Sequence, residues 1–202
     1  MDNKDSPILT VIGGCNGSGK SSFSNALSAT DIYSFDYDKV FLNIYQMLPD
    51  SELRDTMAHN KARSILEFEI ENAIEQDTSF TYETNFNSTP LYWPARFKAK
   101  GYRLSMIFFC MNSLEEAKRR VQIRVENGGH FVPDWEIQKR YFQGFENLNT
   151  HWQFFDEVHL FDTSKYGEIP QHFLSLIGGD ISNFKKFPDY LVRLLPNFPK
   201  KK

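Results

Sequence analysis

The sequence is short of cysteine, short of net charge and without a long apolar run, and each shortage removes a class of protein. With 2 cysteines in 202 residues, Cys15 and Cys110, there is no disulfide framework, and both are expected as free thiols in a reducing compartment. Lysine and arginine number 23 against 26 aspartates and glutamates. The broad positive field that binds nucleic acid or an anionic membrane is therefore missing, and neither is expected as a partner. No apolar stretch approaches the ~18 residues that cross a bilayer. The opening Met1-Asp2-Asn3-Lys4-Asp5 lacks the apolar region of a secretory signal, so a cytoplasmic location is expected. Repeats and low-complexity linkers are absent too, while a hydrophobic content of 41% suffices for the core of one domain.

What is present is a phosphate-binding loop. Residues Gly14, Cys15, Asn16, Gly17, Ser18, Gly19, Lys20 and Ser21 read G-C-N-G-S-G-K-S, followed by Ser22, and match G-x-x-x-x-G-K-[ST] after the apolar run Ile8-Leu9-Thr10-Val11-Ile12. The glycines let backbone N–H groups turn inward around a phosphate, Lys20 supplies a point charge, and Ser21 offers a hydroxyl to Mg²⁺. Residues 14–22 are thus the expected ATP-binding segment, with Cys15 filling a variable loop position rather than acting as a nucleophile.

Strand-like and helix-like segments alternate. Strands are expected at 8–13, 32–35, 78–82, 102–109 and 157–161, and helices at 20–28, 38–48, 51–75 and 90–100, from Leu114 and from Pro133 or Asp134. This order favours an α/β fold in which a five-stranded parallel sheet carries helices on both faces, and such sheets bind ligands at the strands' carboxyl ends. The residues 169–202, rich in phenylalanine and leucine, are expected to form a C-terminal helical packing element, with Lys200 to Lys202 as a solvated tail.

Polar residues cluster where strands end. After the second strand, Asp36 or Asp38 could take a proton from an acceptor hydroxyl attacking the γ-phosphorus, or could cap the next helix. After the third, Glu83 and Thr84 stand beside the loop, Glu83 as a Mg²⁺ or acceptor ligand or as an exposed edge carboxylate. Ser113-Leu114-Glu115-Glu116 reads as a capping box opening a helix on which Arg120 and Arg124 share one face. Two guanidinium groups there can clamp a transferring phosphoryl group or pair with surface glutamates. Asn127-Gly128-Gly129-His130-Phe131-Val132-Pro133 then stops the helix in a loop able to close as a lid, and the next helix carries Arg140.

The run G-G-C-N-G-S-G-K-S-S, Phe35-Asp36-Tyr37-Asp38, Tyr82-Glu83-Thr84-Asn85, Gly101-Tyr102-Arg103, the segment 120–133 with its Gly-Gly-His-x-Val-Pro loop, and Asp156-Glu157-Val158-His159-Leu160-Phe161-Asp162 together resemble the zeta toxin family, over residues 7–162. The resemblance implies a P-loop kinase fold, ATP and Mg²⁺ as cofactors and phosphorylation of a small molecule. Toxin members phosphorylate the sugar 3′-hydroxyl of UDP-N-acetylglucosamine, and an antitoxin is a possible partner. Asp38 falls on the family's base, Lys20 and Ser21 on its phosphate loop. Glu83 and Thr84 fall on its acceptor segment, and Arg120 or Arg124 on the arginine that reaches ATP. Two departures bear on substrate. Asp36 adds a second carboxylate where short members read Asn-Pro-Asp, and His130 stands near a lid arginine of the toxins, so Asp36, Glu83, Thr84 and His130 form the expected acceptor contacts.

Overall fold

Elements follow in chain order from apolar runs and the residues that interrupt them. The computed structural model describes residues 6–27, 33–129 and 131–199. It contains β1 (Ile8–Gly14), α1 (Lys20–Leu27), β2 (Ser34–Phe35), α2 (Tyr37–Met47), α3 (Arg54–Glu75), β3 (Phe80–Thr84) and α4 (Tyr92–Ala99). Then come β4 (Arg103–Cys110), α5 (Leu114–Glu126), α6 (Asp134–His151), β5 (Glu157–Asp162), β6 (Gln171–Ile177), β7 (Asp180–Phe184) and α7 (Leu191–Leu194).

The sheet order is β2-β3-β1-β4-β5-β6-β7. The first five strands pair in parallel, whereas β6 and β7 join antiparallel. The expected five parallel strands are therefore present, but the sheet has seven. The C-terminal segment is correspondingly a hairpin with one short helix, not a helical element. Its turn, Gly178-Gly179, has φ of 58° and 90°, the left-handed pair that a two-residue hairpin turn requires and that glycine reaches at no steric cost. Residues 28–32, His130 and Lys200 to Lys202, part of the expected first helix, second strand, acceptor contacts and tail, lie outside the described residues.

β1 and β4 run through the centre, buried on both faces, as their near-continuous apolar sequence demands. Leu9, Val11, Leu104, Met106, Phe108 and Cys110 belong to the main core with residues of α3, α4, α5 and α6. The alternate residues Ile12, Ile107 and Phe109 pack on the opposite face against Phe23 of α1 and Phe161 of β5. A third cluster joins α2 to α3 through Phe41, Ala58 and Ala62. Among the described residues no helix is long and apolar enough to cross a membrane, and Cys15 and Cys110 are buried free thiols.

Candidate active site

The loop between β1 and α1 sits at the carboxyl end of the central strand, with Gly13 level with Thr84 of β3 on one side and Phe108 of β4 on the other. Its glycines are forced by space and by dihedral angle. Gly14 has φ 145°, and a Cβ there would lie 2.8 Å from the Phe109 carbonyl oxygen. Gly17, at φ 78°, comes so close to α5 that a Cβ would meet the Ala117 carbonyl at 2.9 Å. The hydroxyl of Ser18 is buried in this loop with no hydrogen-bond partner among the described residues, a donor that phosphate oxygen would satisfy. Burial pushes the Cys15 thiol up to about 11, so it stays protonated at neutral pH and is no nucleophile.

Lys20 folds its amine back along the loop, donating to the carbonyls of Gly14 (2.7 Å) and Cys15 (3.1 Å) and to Oδ1 of Asn85 (3.2 Å). Burial lowers its pKa, and the nearby carboxylates of Glu83, Asp38 and Asp36 oppose that shift. Asn85 reaches the lysine from a tight bend at Phe86, which adopts φ 52°, an uncommon conformation for a bulky residue. Thr84 Oγ1 accepts the Phe86 N–H at 3.0 Å, so this expected acceptor residue also shapes the bend.

Ser21 donates its hydroxyl to Glu83 Oε2 at 2.8 Å. β3 carries Glu83 to this point because it pairs directly with β1, and the strand ends at Thr84 rather than Tyr82. Glu83 is 9% exposed, not an open edge carboxylate. Burial raises its pKa first and the charge of Asp36 second, against the Ser21 and Lys20 contacts. The two aspartates separate in local role. Asp36 is the N-cap of α2, its Oδ1 accepting from Lys39 N at 3.1 Å, while Asp38 stands in the first turn without a capping task. Two hard oxygens beside a phosphate loop fit Mg²⁺, which is held by one or two side chains together with phosphates and water. No cluster of three or more His, Cys, Asp or Glu forms a metal cage among the described residues.

Ser113 caps α5, accepting from Glu116 N at 3.2 Å. The reciprocal half of a capping box does not form, because the Glu116 carboxylate is taken by Arg119 (2.7 and 2.8 Å) and Arg120 (2.6 Å). Arg120 is buried and ties three elements, reaching the Gly17 carbonyl at 3.4 Å and the Ser164 carbonyl at 3.0 Å. Arg124 follows one turn on, its stem covered by Gly129, where a Cβ would lie 2.5 Å from Arg124 Cγ. Arg140 of α6 is brought to the loop as well. It donates to Asn16 Oδ1 at 3.2 Å and to Glu136 at 2.6 Å. Sequence reasoning placed Arg140 on a helix after the lid but gave it no role, since only the packing of α6 against the loop carries that signal.

A phosphate loop closing the central strand, with parallel order β2-β3-β1-β4-β5 and arginines of two helices bonded to it, defines a P-loop kinase-like, nucleotide-binding fold. The family model described as Zeta toxin matches residues 1–166, and the chain belongs to the zeta toxin family. An uncharacterized protein of Haemophilus influenzae is 27% identical over 129 residues, 63% of this chain and 88% of that one. Among solved structures, a chain of the PezAT toxin–antitoxin system of Streptococcus pneumoniae is 15% identical with a TM-score of 0.55, over 79% of this chain and 69% of that one. AvrRxo1-ORF1:AvrRxo1-ORF2 with sulphate ions matches at 14% identity and a TM-score of 0.68, over 99% of this chain but 66% of that one. The same pair was also solved with ATP. A chain of the Pnkp1/Rnl/Hen1 RNA repair complex, 20% identical with a TM-score of 0.58, aligns over 74% of this chain, which spans 48% of its length. At these identities the likeness to solved structures is one of fold.

Proposed function

We propose that this chain is an ATP-dependent small-molecule kinase of zeta toxin type, whose acceptor is a UDP-activated amino sugar such as UDP-N-acetylglucosamine. The observation that carries the reading is the meeting of Lys20 and Ser21 with Glu83, Asp36 and Asp38 at the carboxyl ends of β1, β3 and β2. Positive charge for phosphate and negative charge for a hydroxyl proton stand side by side there. In phosphoryl transfer the protein positions two oxygens and offsets charge spread over the moving group. Lys20 and Arg124 supply fixed positive charge, Arg120 and Arg140 hold the loop that presents it, and Asp38 takes the acceptor proton. Glu83 and Thr84 orient the acceptor. Ser21 and Glu83 would hold Mg²⁺, which when bound neutralises phosphate charge.

A protein antitoxin as partner and a cytoplasmic location belong to the same proposal, the former supported by the toxin–antitoxin system among the fold relatives. The test is incubation with ATP, Mg²⁺ and a panel of UDP-sugars, nucleosides and simple sugars, read by mass spectrometry. A UDP-sugar one phosphoryl group heavier is expected. Phosphorylation of a different member of the panel would move the acceptor class, and ATP binding with no product from any of them would reduce the protein to a nucleotide-binding switch.

A further inference from the structure

An ammonium group carries three N–H bonds, and those of Lys20 have three acceptors within the protein: the carbonyls of Gly14 and Cys15 and Oδ1 of Asn85. A phosphate oxygen bonds this lysine only by displacing one of them. Two belong to the loop backbone and cannot withdraw without moving the N–H groups that face the phosphate. Gly14 is moreover fixed by its close approach to the Phe109 carbonyl. The third acceptor is a neutral side chain, and its bond is the longest of the three at 3.2 Å. Asn85 is therefore the partner that yields.

Its backbone is clamped from two sides. Phe86, the next residue, is fully buried and packs its ring against Phe108 and Phe155, with centroids 6.5 and 6.0 Å apart, and its carbonyl accepts from Asn147 Nδ2 of α6 at 2.9 Å. α6 closes on Asn85 itself at Gly144, where a Cβ would lie 2.8 Å from the Asn85 carbonyl oxygen. With the backbone fixed, movement is left to the side chain. Only the oxygen of a carboxamide can face an ammonium; turning the group over exchanges that oxygen for NH₂, which donates to a phosphate oxygen. One rotation thus frees a Lys20 N–H and adds a second donor. Asn85 follows Glu83 and Thr84 at the carboxyl end of β3, on the acceptor side of Lys20, so the phosphoryl group it meets is the one nearest the acceptor, the γ-phosphate.

Resting on the phosphate-loop reading above, we propose that Asn85 is a positioning residue that makes Lys20 respond to the γ-phosphate. Its amide holds the third N–H of the ammonium until a γ-phosphate oxygen takes it, then turns to donate to that same oxygen. The measurement is calorimetric titration, with Mg²⁺ present, of ATP and of ADP into the unmodified chain, Asn85→Asp and Asn85→Ala, beside the thermal midpoint of each. A carboxylate only accepts, and it holds the ammonium by a charged bond. The ratio of ATP to ADP affinity in Asn85→Asp should therefore fall about tenfold, the difference between a charged and a neutral hydrogen bond. Asn85→Ala removes the competing acceptor and the donor together, so its ratio should stay within about threefold of normal. A ratio in Asn85→Asp no lower than in the unmodified chain overturns the proposal. A fall of the same size in Asn85→Ala overturns it too, because the residue then merely shapes the bend after β3. Failure of the unmodified chain to bind either nucleotide overturns the phosphate-loop reading and the role of Asn85 with it.

Discussion

The half-buried Lys20 ammonium lies near three carboxylates, and single residues there have separable tasks. In the proposed function Lys20 serves phosphates, and it is not among the apolar core residues, so Lys20→Ala is expected to abolish measurable ATP binding by calorimetry while far-ultraviolet circular dichroism stays native. Unchanged affinity would remove the loop assignment. The two aspartates differ in kind, because Asp36 caps α2 and Asp38 does not. Asparagine caps helices as well as aspartate but cannot take a proton. Asp38→Asn should therefore keep ATP affinity and lower turnover by about 10² to 10⁴, the usual contribution of a general base, whereas Asp36→Asn should leave both turnover and thermal midpoint nearly intact. Asp36→Ala, losing the cap, should cost about 1 kcal/mol in stability. The opposite kinetic ranking of the two asparagine variants would transfer the base to Asp36.

At the scale of elements, the proposed function gives the two arginines of α5 different tasks, and partners rather than helical periodicity suggest which is which. Arg120 is fastened to Glu116, Gly17 and Ser164, so Arg120→Ala should lower the thermal midpoint. Arg124→Ala should depress turnover far more than stability, and near-normal turnover in that variant would end the clamp idea. The Glu116 ion pairs give the helix a pH signature. Hydrogen bonding from Arg119, then from Arg120, holds the Glu116 carboxyl at about 2 against an ordinary 4.5. A depressed carboxylate adds stability above its unfolded value and loses it as pH falls through the folded one. The difference in thermal midpoint between the unmodified chain and Glu116→Gln should thus be largest near neutrality and shrink between pH 4.5 and 2; a difference independent of pH would show that the pairs add nothing. Local signals foretold much of this: the strand-loop-helix around Lys20, the Ser113 cap and the apolar runs of β1 and β4 are all written in adjacent residues. Arg140 was not legible, because its contact with Asn16 spans 124 residues and exists only once α6 has packed. The hairpin β6–β7 was legible and missed. Gly178-Gly179 between two strand-like stretches is a hairpin signal, outweighed by the tail's richness in phenylalanine and leucine.

Across the whole molecule, the family match ends at residue 166 while the sheet and core continue. β6 extends the sheet by pairing with β5 from Glu157 to Asp162. Phe173, Leu174, Leu176, Leu191, Leu195 and Phe198, all beyond the family match, are at most 4% exposed. Phe198 packs on Trp152 with centroids 5.3 Å apart, and the Tyr190 hydroxyl donates to Asp162 Oδ1 at the carboxyl end of β5. Burying each large apolar side chain contributes about 1.5–3 kcal/mol. Six of them together contribute an amount of the same order as the roughly 5–15 kcal/mol by which a whole domain is stable. A chain ending at residue 166 would also leave β5 as an unpaired sheet edge, open to pairing with other chains. The segment that the family model matches is thus packed against the strands and helix C-terminal to it. The expected outcome for a chain terminated there is loss of a cooperative thermal transition, aggregation on size-exclusion chromatography and no ATP binding. A cooperative melt near the full-length midpoint with ATP affinity retained would show that the C-terminal hairpin is an accessory to the fold and not part of its core.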